Sequence, residues 1–309
     1  MSAFFKYLLG LAIAFSTVQL VAGNAHAQEQ EPNKQQQAAV SVYITKNGQQ
    51  QRLDFAESPN LISVYQAAMQ SNLLPFTPYW PTTRLVSANK QEQVKQQQQQ
   101  LIDQLEQLAS YWQTANQPEL AASASTVAAQ VASWPLIGAE FVGRIDTAVT
   151  GMRQSGIDTV EPALYAYLDQ VRISNRISIN NNPYLPAGGY SFLISSEHAQ
   201  GAIPNWYVVG AVKQIIEAPY IVDLSVRDMA KKVRLNEFSL SGANNSYLWQ
   251  INLAGAVQQV PMAYYNAGGE KAIVGGIWVV GFQQKQLPEQ FKQINQQLAE
   301  LAKYWNVAL

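Results

Sequence analysis

Apolar and polar residues alternate through Val40-Ser41-Val42-Tyr43-Ile44-Thr45, the period-2 pattern of a half-buried strand. Asn47-Gly48 follows. It predicts a two-residue hairpin turn, because both central residues of a type I′ turn take positive φ. The return strand runs from Gln51 to Phe55. After Ser58-Pro59-Asn60, the residues Leu61, Ile62, Tyr65, Ala68 and Met69 fall at helical spacing. Pro75, Pro78 and Pro81 surround Tyr79-Trp80 and exclude a helix there. Beyond Ser87, Val94, Leu101, Leu105, Leu108 and Trp112 share one helical face, with the unbroken glutamine run Gln96 to Gln100 among them. In-phase leucines make that run the solvated side of a helix rather than a low-complexity tract. Gln117-Pro118 ends this helix, and an alanine-rich helix extends from Glu119 to about Trp134. The two read as a helical hairpin inserted between β elements.

Strand patterns return at Glu140 to Ile145. The stretch from Val149 to Asn182 has no clear phase, apart from a short helical Leu164 to Leu168 and an alternating Val171 to Ser174. A second set of elements then follows. It comprises strands at Tyr190–Ile194 and Trp206–Val212, and a helix capped by Ser225 that runs to about Arg234 with Val226, Met229, Ala230 and Val233 inward. Strands at Tyr247–Ile251, Val257–Val260 and Ile277–Phe282 complete it. Strand, strand, helix and further strands therefore occur twice, a repeat of element order rather than of identity.

The expected fold class is α+β, with two β-grasp domains, an inserted helical hairpin (about 87–134) and a C-terminal amphipathic helix. The first domain is expected over 38–182, the second over 183–286 and the last helix over 287–309. In that helix Leu287, Phe291, Ile294, Leu298, Leu301 and Trp305 are spaced 4, 3, 4, 3, 4, a narrow stripe of coiled-coil type. Two uses fit the stripe: packing on the chain's own sheet, or contact with an oligomer partner or a membrane assembly.

The N-terminus adds a location. Lys6 precedes an apolar stretch from Tyr7 to Val21, about 15 residues against the ~20 that span a bilayer. Ala25-His26-Ala27 is a small-x-small cleavage site. Residues 1–27 read as a cleavable signal peptide and 28–37 as a disordered leader, so the expected location is the periplasm. The chain has no cysteine. This rules out disulfides and thiolate metal sites, and with them a lipoprotein anchor.

Without Lys6 the balance is 19 basic against 21 acidic residues, a net charge of −2. Such a chain has no basic field for nucleic acid and no polybasic segment for anionic lipid. Charged residues make up 13% of the chain, and amides carry much of the polarity. That surface suits partners bound by hydrogen bonds and stacking.

Little of the sequence points to catalysis. His198 sits in a polar loop and reads as idle, and no carboxylate pair has metal-ligand spacing. Ser87-Ala88-Asn89-Lys90 has the serine–lysine spacing of some acyl enzymes, yet it stands where a helix N-cap belongs. Gly188-Gly189, Gly268-Gly269 and Gly275-Gly276 read as turns. No cofactor and no metal is expected.

Several segments in order resemble the GfcC/YjbG family of capsule and exopolysaccharide proteins. They are Tyr79-Trp80-Pro81; Ala132-Ser133-Trp134; Gly143-Arg144; Asn182-Pro183-Tyr184-Leu185; Gly189-Tyr190; Val209-Gly210-Ala211-Val212; and Ile277 to Phe282, leading into Leu287-Pro288-Glu289. The resemblance implies a periplasmic protein of two β-grasp domains similar to those of an outer-membrane polysaccharide exporter. It also implies an arginine in a cavity between the domains, here Arg144. The chain departs from the family pattern between Val149 and Asn182, where it is longer.

A guanidinium can clamp a carboxylate or two sugar hydroxyls, or it can bridge two domains structurally. Tyr79 and Trp80 could stack on a sugar face or build a buried corner. The expected function is non-enzymatic: an accessory in making or exporting a surface polysaccharide, whose partners are the glycan or outer-membrane export proteins. The alternative is a polysaccharide-modifying enzyme acting around Arg144.

Overall fold

The computed structural model describes residues 38–46, 48–73, 84–140, 142, 184–193, 205–219, 221, 224–252, 255, 257–263, 265–266, 269–272 and 276–305. Its strands form two five-stranded mixed sheets in an α+β fold. The first sheet holds β1 (Val40–Lys46), β2 (Gln49–Phe55), β3 (Arg84–Ser87), β4 (Ala139–Glu140) and β5 (Gly188–Leu193), in the order β2-β1-β5-β3-β4. The second holds β6 (Trp206–Gly210), β7 (Ile216–Ala218), β8 (Tyr247–Ile251), β9 (Val257–Pro261) and β10 (Ile277–Val280), in the order β7-β6-β10-β8-β9. Each sheet is thus ordered second, first, fifth, third, fourth. Its first and last strands run parallel at the centre and its other neighbours are antiparallel.

The β1–β2 hairpin has the predicted register. Lys46 faces Gln49 across a two-residue connection, and Gly48 adopts φ 76°. Helix α1 (Leu61–Gln70) starts where Asn60 accepts a hydrogen bond from the Ser63 amide, and it buries Leu61, Val64, Tyr65 and Ala68 against Val40, Val42 and Ile44 of β1. Ser87 Oγ accepts from the Lys90 amide at 3.0 Å and caps helix α2 (Ala88–Thr114). The serine–lysine pair is therefore a helix start. Pro118 occupies the first turn of α3 (Pro118–Ala132), where its missing N–H costs nothing.

The hairpin α2–α3 leaves the first sheet after β3 and returns at β4, yet its apolar face belongs to the second core. Val94, Leu101, Leu105, Leu108 and Trp112 pack in one cluster with Val208, Val280 and Phe282. The Trp112 and Phe282 rings meet edge-on at 5.4 Å. Helices α4 (Val226–Lys232) and α5 (Leu235–Phe238) add Val226, Met229, Ala230 and Leu235 to the same cluster.

Two expectations are corrected. The strand expected at Tyr190–Ile194 in the second domain is β5 of the first sheet, pairing Val40 with Gly188 and Ile44 with Phe192. The second sheet takes its second strand from Ile216–Ala218 instead. A parallel partner far back in the chain leaves no local mark, whereas neighbourhood in sequence suggested the wrong sheet.

The C-terminal helix is likewise shorter than 287–309. A 3-10 turn at Glu289–Phe291 precedes helix α6 (Ile294–Ala302). Its stripe is already occupied within the chain: Leu287, Phe291, Ile294, Leu298 and Leu301 are buried in the second core, and α6 lies against α2, β8 and β10. Trp305, partly buried, stacks on Trp134 at 6.0 Å. The 4-3-4 spacing is common to a coiled-coil seam and to a helix laid on a sheet.

Candidate functional site: an aromatic and amide groove on the second sheet

Tyr79, Trp80, Arg144 and His198 lie outside the described residues, as do residues 1–37, where a signal and a leader are expected. Among the described residues no helix is long and apolar enough to cross a membrane, and no group of three or more His, Cys, Asp or Glu side chains could hold a metal.

The second sheet carries a groove of ≈ 410 Å³ beside α6. Its floor comes from strand alternation. Along β8, Leu248 and Gln250 point into the core, where Gln250 Oε1 accepts from Trp278 Nε1 at 2.9 Å. Tyr247 and Trp249 therefore project from the other face, about 7 Å apart along the strand, with Trp249 half-buried against the second core. Tyr247 is 41% exposed. Gln259 of β9 sits directly opposite Trp249. Tyr265, exposed, joins its hydroxyl to Ser246 Oγ just before β8.

The walls are held by paired loops. Asn244 accepts from the amides of Ser246 (2.9 Å) and Tyr247 (3.1 Å), which sets the entry of β8, and its own amide donates to Gly281 O at 2.8 Å. Asn295 of α6 is buried and bonds the Phe282 backbone twice, accepting from its N–H and donating to its C=O, both at 2.7 Å. Gly281 makes this possible, since a Cβ there would stand 2.5 Å from Asn295 Cγ. Lys292 and Gln284 clasp each other. Lys292 Nζ donates to Gln284 O and Gln284 Nε2 donates to Lys292 O, each at 2.9 Å. Gln296 completes the rim.

The described lining residues thus supply two aromatic rings, amide side chains, one glycine and one ammonium, and among them is no carboxylate or imidazole. Such a surface stacks on apolar ring faces and hydrogen-bonds hydroxyls. Those contacts draw on the ring faces of the aromatics and the donors and acceptors of the amides. A second cleft of ≈ 280 Å³ lies between α2 and α6, lined by Gln97, Gln100, Gln104, Gln297, Glu300 and Lys303 among others. There Lys303 is paired with Glu300 at 2.6 Å and Tyr304 is buried, so the cleft offers no open ring.

The sequence reading placed β8 but did not single out Tyr247 or Trp249. The available signal was two aromatics of one parity on a strand whose other parity is Leu and Gln. Gln284 reaches the groove from the turn after β10 and Lys292 from the end of the 3-10 turn, neither of which leaves a periodic signature.

Comparison with known families agrees with the architecture. The family model for the N-terminal domain of capsule biosynthesis GfcC matches residues 37–151, and that for the GfcC C-terminal domain matches residues 214–304. The first match spans β1 to β4 with the helical hairpin. The second spans β7 to the end of α6, and strands β5 and β6 fall between them. No curated protein matches the chain. The N-terminal and C-terminal domain models of one family, matched in order and together covering two thirds of the sequence, make this chain a member of the GfcC capsule biosynthesis family.

Proposed function

We propose that the protein is a periplasmic, non-enzymatic accessory of capsule or exopolysaccharide production that holds a glycan in the groove floored by Tyr247 and Trp249. The observation that carries this reading is the pairing of those rings with Asn244, Gln259, Gln284 and Gln296 around one groove, in a member of a capsule biosynthesis family. Pyranose rings present apolar C–H faces to aromatics and hydroxyl edges to amides, so a groove of this lining matches both sides of a sugar. The Lys6, apolar stretch and Ala25-His26-Ala27 pattern supports export and cleavage. The second sheet order, identical to the first, supports assigning both units to the β-grasp class.

The test is binding of the mature chain to surface polysaccharide purified from its host. Tyr247→Ala should fold normally, since the ring lies outside the buried cores, and should weaken binding about tenfold. The glycan should be recovered at unchanged length after long incubation. Shortened or modified glycan would favour the enzymatic reading around Arg144. Unaltered affinity in Tyr247→Ala would remove the groove from the function.

A further inference from the structure

We infer that the groove selects an acidic glycan, with a sugar carboxylate seated on Lys292 Nζ while the sugar rings lie on Tyr247 and Trp249. The inference rests on glycan binding at this groove, as proposed above, and adds the charge class of the sugar.

Among the described lining residues Lys292 carries the only formal charge. Its ammonium is not committed to an acid. Among the described residues the other close lysine pairs lie elsewhere, Lys303 with Glu300 and Lys231 with Asp228, and Lys292 pairs with no carboxylate. One of its three donors is used on Gln284 O, which leaves two for a ligand. That bond and the reciprocal one from Gln284 Nε2 to Lys292 O fix the stem. Little side-chain freedom is then lost when a ligand docks, which lowers the cost of binding.

The surroundings strengthen the charge. The residue is half-buried beside the buried Asn295, and Asn295 points its oxygen away from the groove at the Phe282 amide. Among the described lining residues no carboxylate competes with or repels an anionic ligand. A neutral glycan would satisfy the rings and amides but leave the ammonium with water alone. A uronic acid residue satisfies all three.

The probe is tetragalacturonate compared with its fully methyl-esterified form, which has the same backbone and no charge. The full mature chain is used, with Trp fluorescence or calorimetry as the readout at low ionic strength. The acid should bind about tenfold tighter than the ester, as expected for a charge-assisted hydrogen bond in a partly shielded site, and added salt should erode the preference. Lys292→Gln should bring the ratio close to one chiefly by weakening the acid, with loss of the clasp to Gln284 acting on both ligands alike and an unaltered unfolding midpoint as the folding control. Tyr247→Ala should weaken both ligands alike.

Equal affinity of the wild-type chain for acid and ester would overturn the charge inference and leave glycan binding standing. A preference that persists in Lys292→Gln would overturn it too, since another group would then hold the carboxylate. Failure of both ligands to bind the wild-type chain would sink the glycan reading of the groove and this inference with it.

Discussion

The side-chain oxygen of Gln130 accepts a 2.7 Å hydrogen bond from the backbone amide of Gly210. Gln130 sits on α3, in the hairpin that grows out of the first sheet, whereas Gly210 ends β6 of the second. At Gly210 the chain takes φ 93°, and Val280 O receives the Ala211 amide at 2.7 Å instead of continuing the ladder. A Cβ at position 210 would stand 2.3 Å from that oxygen. The strand therefore stops here, short of the predicted Val212, and leaves a buried N–H that a side chain from the inserted hairpin satisfies. The bond ties the insertion to the sheet that carries the groove.

Replacing Gln130 with Ala strands the Gly210 amide in the core. A buried donor left without a partner costs about 1–3 kcal/mol, so the variant should unfold at a lower urea concentration with an unchanged m value. Gln99 is exposed on α2 and bonds only Asp103 at 2.8 Å, and Gln99→Ala should stay within about 0.5 kcal/mol of wild type. Equal midpoints for the two variants would show that the hairpin is held by apolar packing alone.

Long periodic elements were legible in the sequence and short ones were not. The α2 stripe and the β1–β2 turn could be read because many residues repeat one signal, and the Ser87 cap because its side chain has a single good use at that position. Strands β3, β4 and β7 are too short to show a period. Strand β5 was legible as a strand but not as a member of the first sheet, because its parallel partner β1 lies at the other end of that unit.

The groove was the least readable feature. Tyr247 and Trp249 share a parity with Ile251, which is buried, so alternation alone does not tell an open face from a covered one. Which part of that face α6 covers is decided by tertiary packing. Arg144, Tyr79 and Trp80 were pointed out by family resemblance, and the described residues do not include them.

Gly281 and Asn295 should behave as one unit. Gly281→Ala pushes a methyl to 2.5 Å from Asn295 Cγ and Oδ1, while Asn295→Ala removes both bonds to the Phe282 backbone. Each single change should destabilise the chain by about 1–3 kcal/mol. In the double variant the methyl enters space that the amide has vacated. Its stability loss should therefore fall short of the sum by about 1 kcal/mol, within the usual range for contacting residues. Strict additivity in a double-mutant cycle would mean that the loop after β10 moves aside independently of the asparagine.

Tyr190 gives a pH signature to the first sheet. Its hydroxyl donates to Pro186 O at 2.7 Å. Burial first, and the nearby Glu140 charge second, push its pKa up to about 12. The native phenol thus keeps its proton to higher pH than the unfolded one, which titrates near 10. Its contribution to stability is complete below about pH 10 and is lost as the pH climbs toward 12. Burial on β3 acts against the charge of Arg84 and lowers its pKa, but a guanidinium starts so high that it stays protonated through this interval. The informative quantity is the difference between wild type and Tyr190→Phe. Phenylalanine keeps the ring and removes the proton. The wild-type advantage in urea midpoint should be constant from about pH 8 to 10 and should shrink steadily above it. An advantage that stays flat through pH 12 would mean that the phenol is open to solvent in the folded protein, and that the contact with Pro186 does not hold it in the sheet.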